Sequence, residues 1–114
     1  MQTRTKKFHV AIIKLCEDFP KNAAGFETAK QLIRSAGSVG ANYRATARAK
    51  SYADFTNKMS IVLEESDESL YWLEVVSEAE LSKAPQLNSL IKEASELTAI
   101  FAAGTKTAST KSKL

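Results

Sequence analysis

The sequence predicts an all-α protein, an antiparallel up-down four-helix bundle. Three observations predict it. Apolar residues recur at helical spacing through most of the 114 residues. No segment alternates apolar and polar residues over the length of a strand. Punctuation is sparse, with two prolines and four glycines, so the chain has few places to reverse.

Phe8, Ile12, Leu15 and Phe19, with Ala11 beside them, form the stripe of a first helix that Pro20 ends in "FPKN". Asn22 is a suitable N-cap for a second helix, with Leu32, Ala36, Val39 and Tyr43 on one face and Ile33, Gly40 and Ala47 next to it. "SYAD" at Ser51–Asp54 has the form of a capping box and should start a third helix carrying Phe55, Met59, Val62, Ser66, Leu70, Leu73 and Val76. A break near "SKAP" leads to a fourth helix with Leu87, Leu90, Ile91, Ala94, Leu97 and Phe101. Gly104 is the expected C-cap, which makes residues 1–104 the bundle and residues 105–114 a flexible basic tail.

Composition excludes several classes. No apolar run approaches the ~20 residues that span a bilayer, so no membrane partner is expected. The basic N-terminus lacks a small-residue cleavage site and runs into Glu17 and Asp18, unlike a signal peptide. The single cysteine, Cys16, has no partner for an internal disulfide and fits a small core residue in a reducing cytoplasm.

"RSAGSVGANYRATARAK", Arg34–Lys50, combines glycines, alanines and cations without an acid. It matches neither a P-loop nor GxGxxG, and no strand precedes it. At helical spacing Gly37, Ala41 and Ala45 form one row of small residues, and Ala36 and Gly40 another. Such rows allow a second backbone to approach closely, against a helix cost of ~1 kcal/mol per glycine. Asn42, in mid-helix, is expected to be structural, hydrogen-bonded either to solvent or to a neighbouring helix.

The acids of the third helix do not make a site. Glu64 and Glu68, then Glu74 and Glu78, stand at i, i+4, but a di-iron bundle needs Glu-x-x-His motifs, and the lone His9 lies in the first helix. No nucleophile–base or paired-carboxylate spacing is present. No catalytic residue, metal site or cofactor is expected, and the protein is not read as an enzyme.

Charge is unevenly distributed. Residues 1–52 carry ten Lys/Arg and three Asp/Glu, residues 53–103 three and ten, and Lys106, Lys111 and Lys113 follow. Either the basic half meets an anionic partner or the two halves neutralise each other. If the second and third helices fold back near Lys50–Ser51, Arg34 faces Asp67 and Glu68 as a structural ion pair. Arg44 then meets no acid, and Arg44, Arg48 and Lys50 remain available at the turn. Tyr71 and Trp72, between Leu70 and Leu73, extend apolar surface beyond a single stripe and are the candidate self-association interface.

"SAGSVGANYRATARAKSYADF" followed by "EESDESLYWLE" resembles the four-helix bundle proteins also called intervening-sequence proteins, first noticed as reading frames within insertions in bacterial large-subunit ribosomal RNA genes. The family pattern is Ser, Val or Ile, any residue, Ala and Asn after a Gln-Leu helix. Ser38, Val39, Gly40, Ala41 and Asn42 match it, with Lys30–Leu32 ahead, and the resemblance extends through "ELTAIFAAGTKT". It implies a bundle assembled as a homopentameric ring, with no established enzymatic activity. Distant relatives include the accessory protein of diversity-generating retroelements, a basic pentamer that works with a reverse transcriptase and nucleic acid. In the commoner pattern an acid and a glycine follow the asparagine, whereas here Asn42 leads into "YRATARAK".

Two functional readings follow for a cytoplasmic, self-assembling bacterial protein. In one, structured RNA or DNA is held by Arg44, Arg48, Lys50, Lys106, Lys111 and Lys113 through phosphate contacts. In the other the chain is a structural or protein-interaction module with no nucleic-acid ligand.

Overall fold

Four helices follow one another in the computed structural model: α1 (Gln2–Cys16), α2 (Ala23–Thr46), α3 (Tyr52–Glu78) and α4 (Gln86–Ser112). The structure describes residues 1–112, with side chains through residue 107. Local chemistry sets the helix starts. The Asn22 carboxamide oxygen accepts from the Gly25 N–H at 2.9 Å, and the Ser51 hydroxyl accepts from the Asp54 N–H at 3.0 Å. Each cap satisfies one of the N–H groups a helix start leaves without a partner.

Cross-helix contacts define an antiparallel register. His9 meets Gly37 and Thr5 meets Gly40 between α1 and α2. Between α2 and α3, the Ser69 hydroxyl donates to that of Ser35 at 2.9 Å, and between α3 and α4 the Ser66 and Thr98 hydroxyls lie 2.9 Å apart. α2 packs extensively on α3 and α3 on α4, while the α1–α4 seam is the thinnest. The bundle measures 50 × 23 × 20 Å.

The core is the set of stripes the periodicity predicts. Ile12, Leu32, Val39, Val62, Leu73, Leu97 and Phe101 are almost fully buried, each such side chain contributing about 1.5–3 kcal/mol of transfer free energy. Small hydroxyl residues interrupt these stripes. Ser35, Ser66 and Ser69 are buried, and each hydroxyl is hydrogen-bonded.

The fourth helix does not end at Gly104. It continues to Ser112, because its far end still has α3 to lie against: Met59 packs on Gly104, and the Thr105 hydroxyl donates to the Met59 carbonyl at 3.4 Å. This contact overrides the glycine's tendency to end a helix.

The opposite end of the bundle is closed by its two loops. The Ser82 hydroxyl of the α3–α4 loop donates to Asp18 of the α1–α2 loop at 2.7 Å. α3 itself ends in a Schellman motif: the Leu81 N–H donates to the Val76 carbonyl and the Glu80 N–H to Ser77, with Glu80 at φ 55°.

Candidate functional site

Antiparallel packing turns the charge asymmetry along the sequence into a charge difference along the bundle. The α2–α3 turn, the start of α1 and the end of α4 lie at one end. The segments that build it, residues 1–9, 40–59 and 100–112, carry nine cations (Arg4, Lys6, Lys7, Arg44, Arg48, Lys50, Lys58, Lys106 and Lys111), of which Arg4 is paired with Glu93 and Glu96 on the adjoining turns of α4, and their single acid is Asp54. That acid is engaged locally. Lys58 donates to it at 2.6 Å and the Lys50 backbone N–H at 2.9 Å, and these bonds hold its carboxyl below the usual carboxylate range.

Arg44, Arg48 and Lys50 are exposed, and among the described residues none of their side chains forms an ion pair. Beside them a cavity of about 420 Å³ is lined by Thr46, Lys50, Tyr52 and Phe55. Tyr52 presents its ring there at 54% exposure. Lys106 lies on the last turns of α4. Lys111 is also on α4, but its side chain is outside the described set, and Lys113 lies outside the described residues altogether.

The second half of α2 is architecture of two kinds. Gly40 and Ala41 leave room beside α1, and at Gly40 a Cβ would make ordinary contact with the Thr5 carbonyl, 3.7 Å away. At Gly37 the neighbour is a side chain, because a Cβ there would lie 3.0 Å from His9 Cε1 and Nε2. Asn42 is half-buried and does not reach another helix, its amide donating to the Ser38 carbonyl at 2.9 Å and hydroxyl at 2.8 Å.

Arg34 bridges to Glu65 at 2.9 Å and to Glu68. Asp67, the other expected partner, takes no part and is exposed. The reason is helical geometry: Glu65 and Glu68 are one turn apart on the face toward α2, and Asp67 lies off that face. Glu68 also accepts from the Trp72 indole N–H at 3.2 Å, so the half-buried Trp72 is engaged within its own chain. Tyr71 packs edge-on against Trp72 and stays exposed. With Glu64, Asp67, Glu74 and Glu78 it forms an exposed acidic stripe on α3.

Remaining candidate chemistry is muted. Burial raises the Cys16 thiol to about 11, so it is protonated at neutral pH. Among the described residues no three His, Cys, Asp or Glu side chains are grouped to hold a metal ion, and no helix is long and apolar enough to cross a membrane.

Residues 1–103 match the family model described as 23S rRNA-intervening sequence protein. A crystal structure from Bacteroides thetaiotaomicron, described as a protein with unknown function from the S23 ribosomal protein family, is similar throughout. It is 32% identical, with a TM-score of 0.81 over 92% of this chain and 94% of that one. No curated protein matches the chain. Neither the family description nor the solved structure names an enzymatic activity.

Proposed function

The chain belongs to the 23S rRNA-intervening sequence protein family, and from that premise we propose that it acts by binding rather than catalysis, as a self-assembling cytoplasmic bundle whose basic end holds the phosphate backbone of structured RNA or DNA. The observation that carries this reading is the excess of cations at one end of the bundle, where Arg4 and Lys58 are paired with acids while Arg44, Arg48 and Lys50 form no ion pair among the described residues. Phosphate contacts of this kind are strong at low salt and give little sequence discrimination. Tyr52 adds an exposed aromatic face beside Lys50, a surface on which an unpaired base can stack.

The test is binding of ribosomal RNA hairpins as a function of salt. Affinity should fall steeply between ~50 and ~200 mM salt, and replacing Arg44 and Arg48 together by alanine should flatten the log–log slope by about 1–2. No binding at ~50 mM salt overturns the reading.

A second reading has its own support. The acidic stripe of Glu64, Asp67, Glu74 and Glu78 around Tyr71 is exposed and complements the basic end in charge, so neighbouring copies in a homopentameric ring can meet through these surfaces. In that case the chain is a structural or protein-interaction module. Light scattering separates the two: an oligomer that dissociates as salt rises favours interlocking charges, and a monomer at micromolar concentration removes the ring.

A further inference from the structure

The α1–α2 seam carries a groove of about 490 Å³ whose floor is Gly37, Gly40 and Ala41 and whose walls include Lys6, His9 and Arg44. Among the described residues no carboxylate lines it. Lys6 and Arg44 are exposed, His9 is half-buried, and among the described residues none of the three makes an ion pair. Close helix packing does not account for Gly37. The atoms nearest a Cβ at that position belong to the His9 ring, not to the α1 backbone. A glycine in mid-helix costs ~1 kcal/mol against alanine, and what it secures here is room for an imidazole at the edge of a cationic groove.

We propose that this groove seats a phosphate group of the nucleic-acid ligand, held between Lys6, His9 and Arg44 over the small-residue floor. The proposal rests on the phosphate-binding reading above and extends its footprint from the turn onto α1. Arg44 joins the two surfaces. It belongs to the cation cluster of the turn and lines the groove, and along α2 it stands ~10 Å from Gly37 at 1.5 Å per residue. The guanidinium fork pairs two phosphate oxygens, the ammonium supplies a compact positive charge, and the imidazole supplies an N–H donor. A floor of two glycines and an alanine, with no side chain longer than a methyl, lets the phosphate approach all three.

The chain has one histidine, so its imidazole resonances report on the groove without assignment. The full-length protein is titrated with an RNA hairpin in low salt, and separately with inorganic phosphate against chloride at equal ionic strength. The His9 ring signals should shift saturably with the hairpin, and move in the same direction with phosphate but not with chloride. Lys6→Ala, an exposed change, should weaken hairpin binding about three- to tenfold and flatten the salt slope by about 0.7–0.9. Unmoved His9 signals while Arg48→Ala still weakens the hairpin would overturn the groove and leave the reading at the turn standing. No hairpin binding at all removes both. A His9 shift that follows protein concentration and ignores hairpin would assign the groove to a second copy and likewise overturn the proposal.

Discussion

The carbonyl oxygen of Pro20 occupies the space where a side chain at Gly25 would begin: a Cβ there would lie 1.8 Å from it. The contact is between backbone and backbone, so no rotamer change relieves it. Gly25 also donates to the Asn22 cap, which ties the first turn of α2 against the end of the α1–α2 loop. Gly25→Ala must therefore move the loop or unwind the turn. It should destabilise the fold by about 3 kcal/mol or more, whereas for Gly37→Ala only the His9 ring must shift and the ~1 kcal/mol that alanine gains in a helix offsets that cost. Urea unfolding of the two variants checks the order.

Glu80 sits in the left-handed region that closes the Schellman motif of α3. A Cβ in that conformation costs ~1–2 kcal/mol, and glycine's greater freedom in the unfolded chain returns ~0.4–1 of it. Glu80→Gly should thus stabilise the protein by about 0.5–1 kcal/mol, seen as a higher urea midpoint with an unchanged slope. Glu80→Val should lower it.

How far these features were legible in the sequence depends on whether they were local. Ile12, Val39, Leu73 and Leu97 fall on helical stripes because one face of each helix is buried, and Asn22 and Ser51 announce helix starts through their own side chains. Glu80 gives no such signal, since nothing about a glutamate marks a left-handed cap. Gly104 carries a misleading one, because the contact with Met59 that keeps α4 going is tertiary. The reverse register placed Arg34 opposite the right stretch of α3 and found Glu68, but it took Asp67 where Glu65 is the second partner: Glu65 and Glu68 lie on the facing side, and Asp67 does not. Lys6 and His9 went unnoticed as groove residues because they enter only through the α1–α2 register, in which His9 meets Gly37 and Thr5 meets Gly40. In that register Lys6 falls about one helical turn, and His9 about two, from the level of Arg44.

The thin α1–α4 seam is fastened by Arg4, which donates to both carboxylate oxygens of Glu93 at 2.8 and 2.7 Å and to Glu96 at 3.3 Å. The Arg4 hydrogen bond holds the Glu93 carboxyl below its ordinary value, partly offset by desolvation. A lowered folded-state value means that the unfolded chain binds the proton more readily. The stabilisation is therefore complete above the ordinary carboxylate range and is lost as pH falls through the lower folded value. Because the arginine side chain is 38% exposed, solvent screening limits the gain to about 1 kcal/mol. Glu93→Gln should destabilise by that amount at pH 7, and the gap to wild type should close below about pH 4. A constant gap across a series of urea melts from pH 7 to pH 3 would show that the pair contributes through packing instead.

Tyr52 opens α3 with its ring at the surface beside Lys50 and Phe55. It caps nothing, since Ser51 and Asp54 supply the side-chain bonds of the helix start, so removing the ring should leave the fold intact. Stacking of one base on an aromatic ring is worth about 1–3 kcal/mol, and a base can reach Tyr52 only where it is unpaired. Tyr52→Ala should therefore weaken binding of a looped RNA hairpin by about tenfold while scarcely changing a blunt duplex of the same length, with an unaltered circular dichroism spectrum. Tyr52→Phe should retain the wild-type preference, because the ring face and not the hydroxyl carries the contact. Equal losses for hairpin and duplex would reduce Tyr52 to a spacer between cations and leave phosphate contacts alone to hold the ligand.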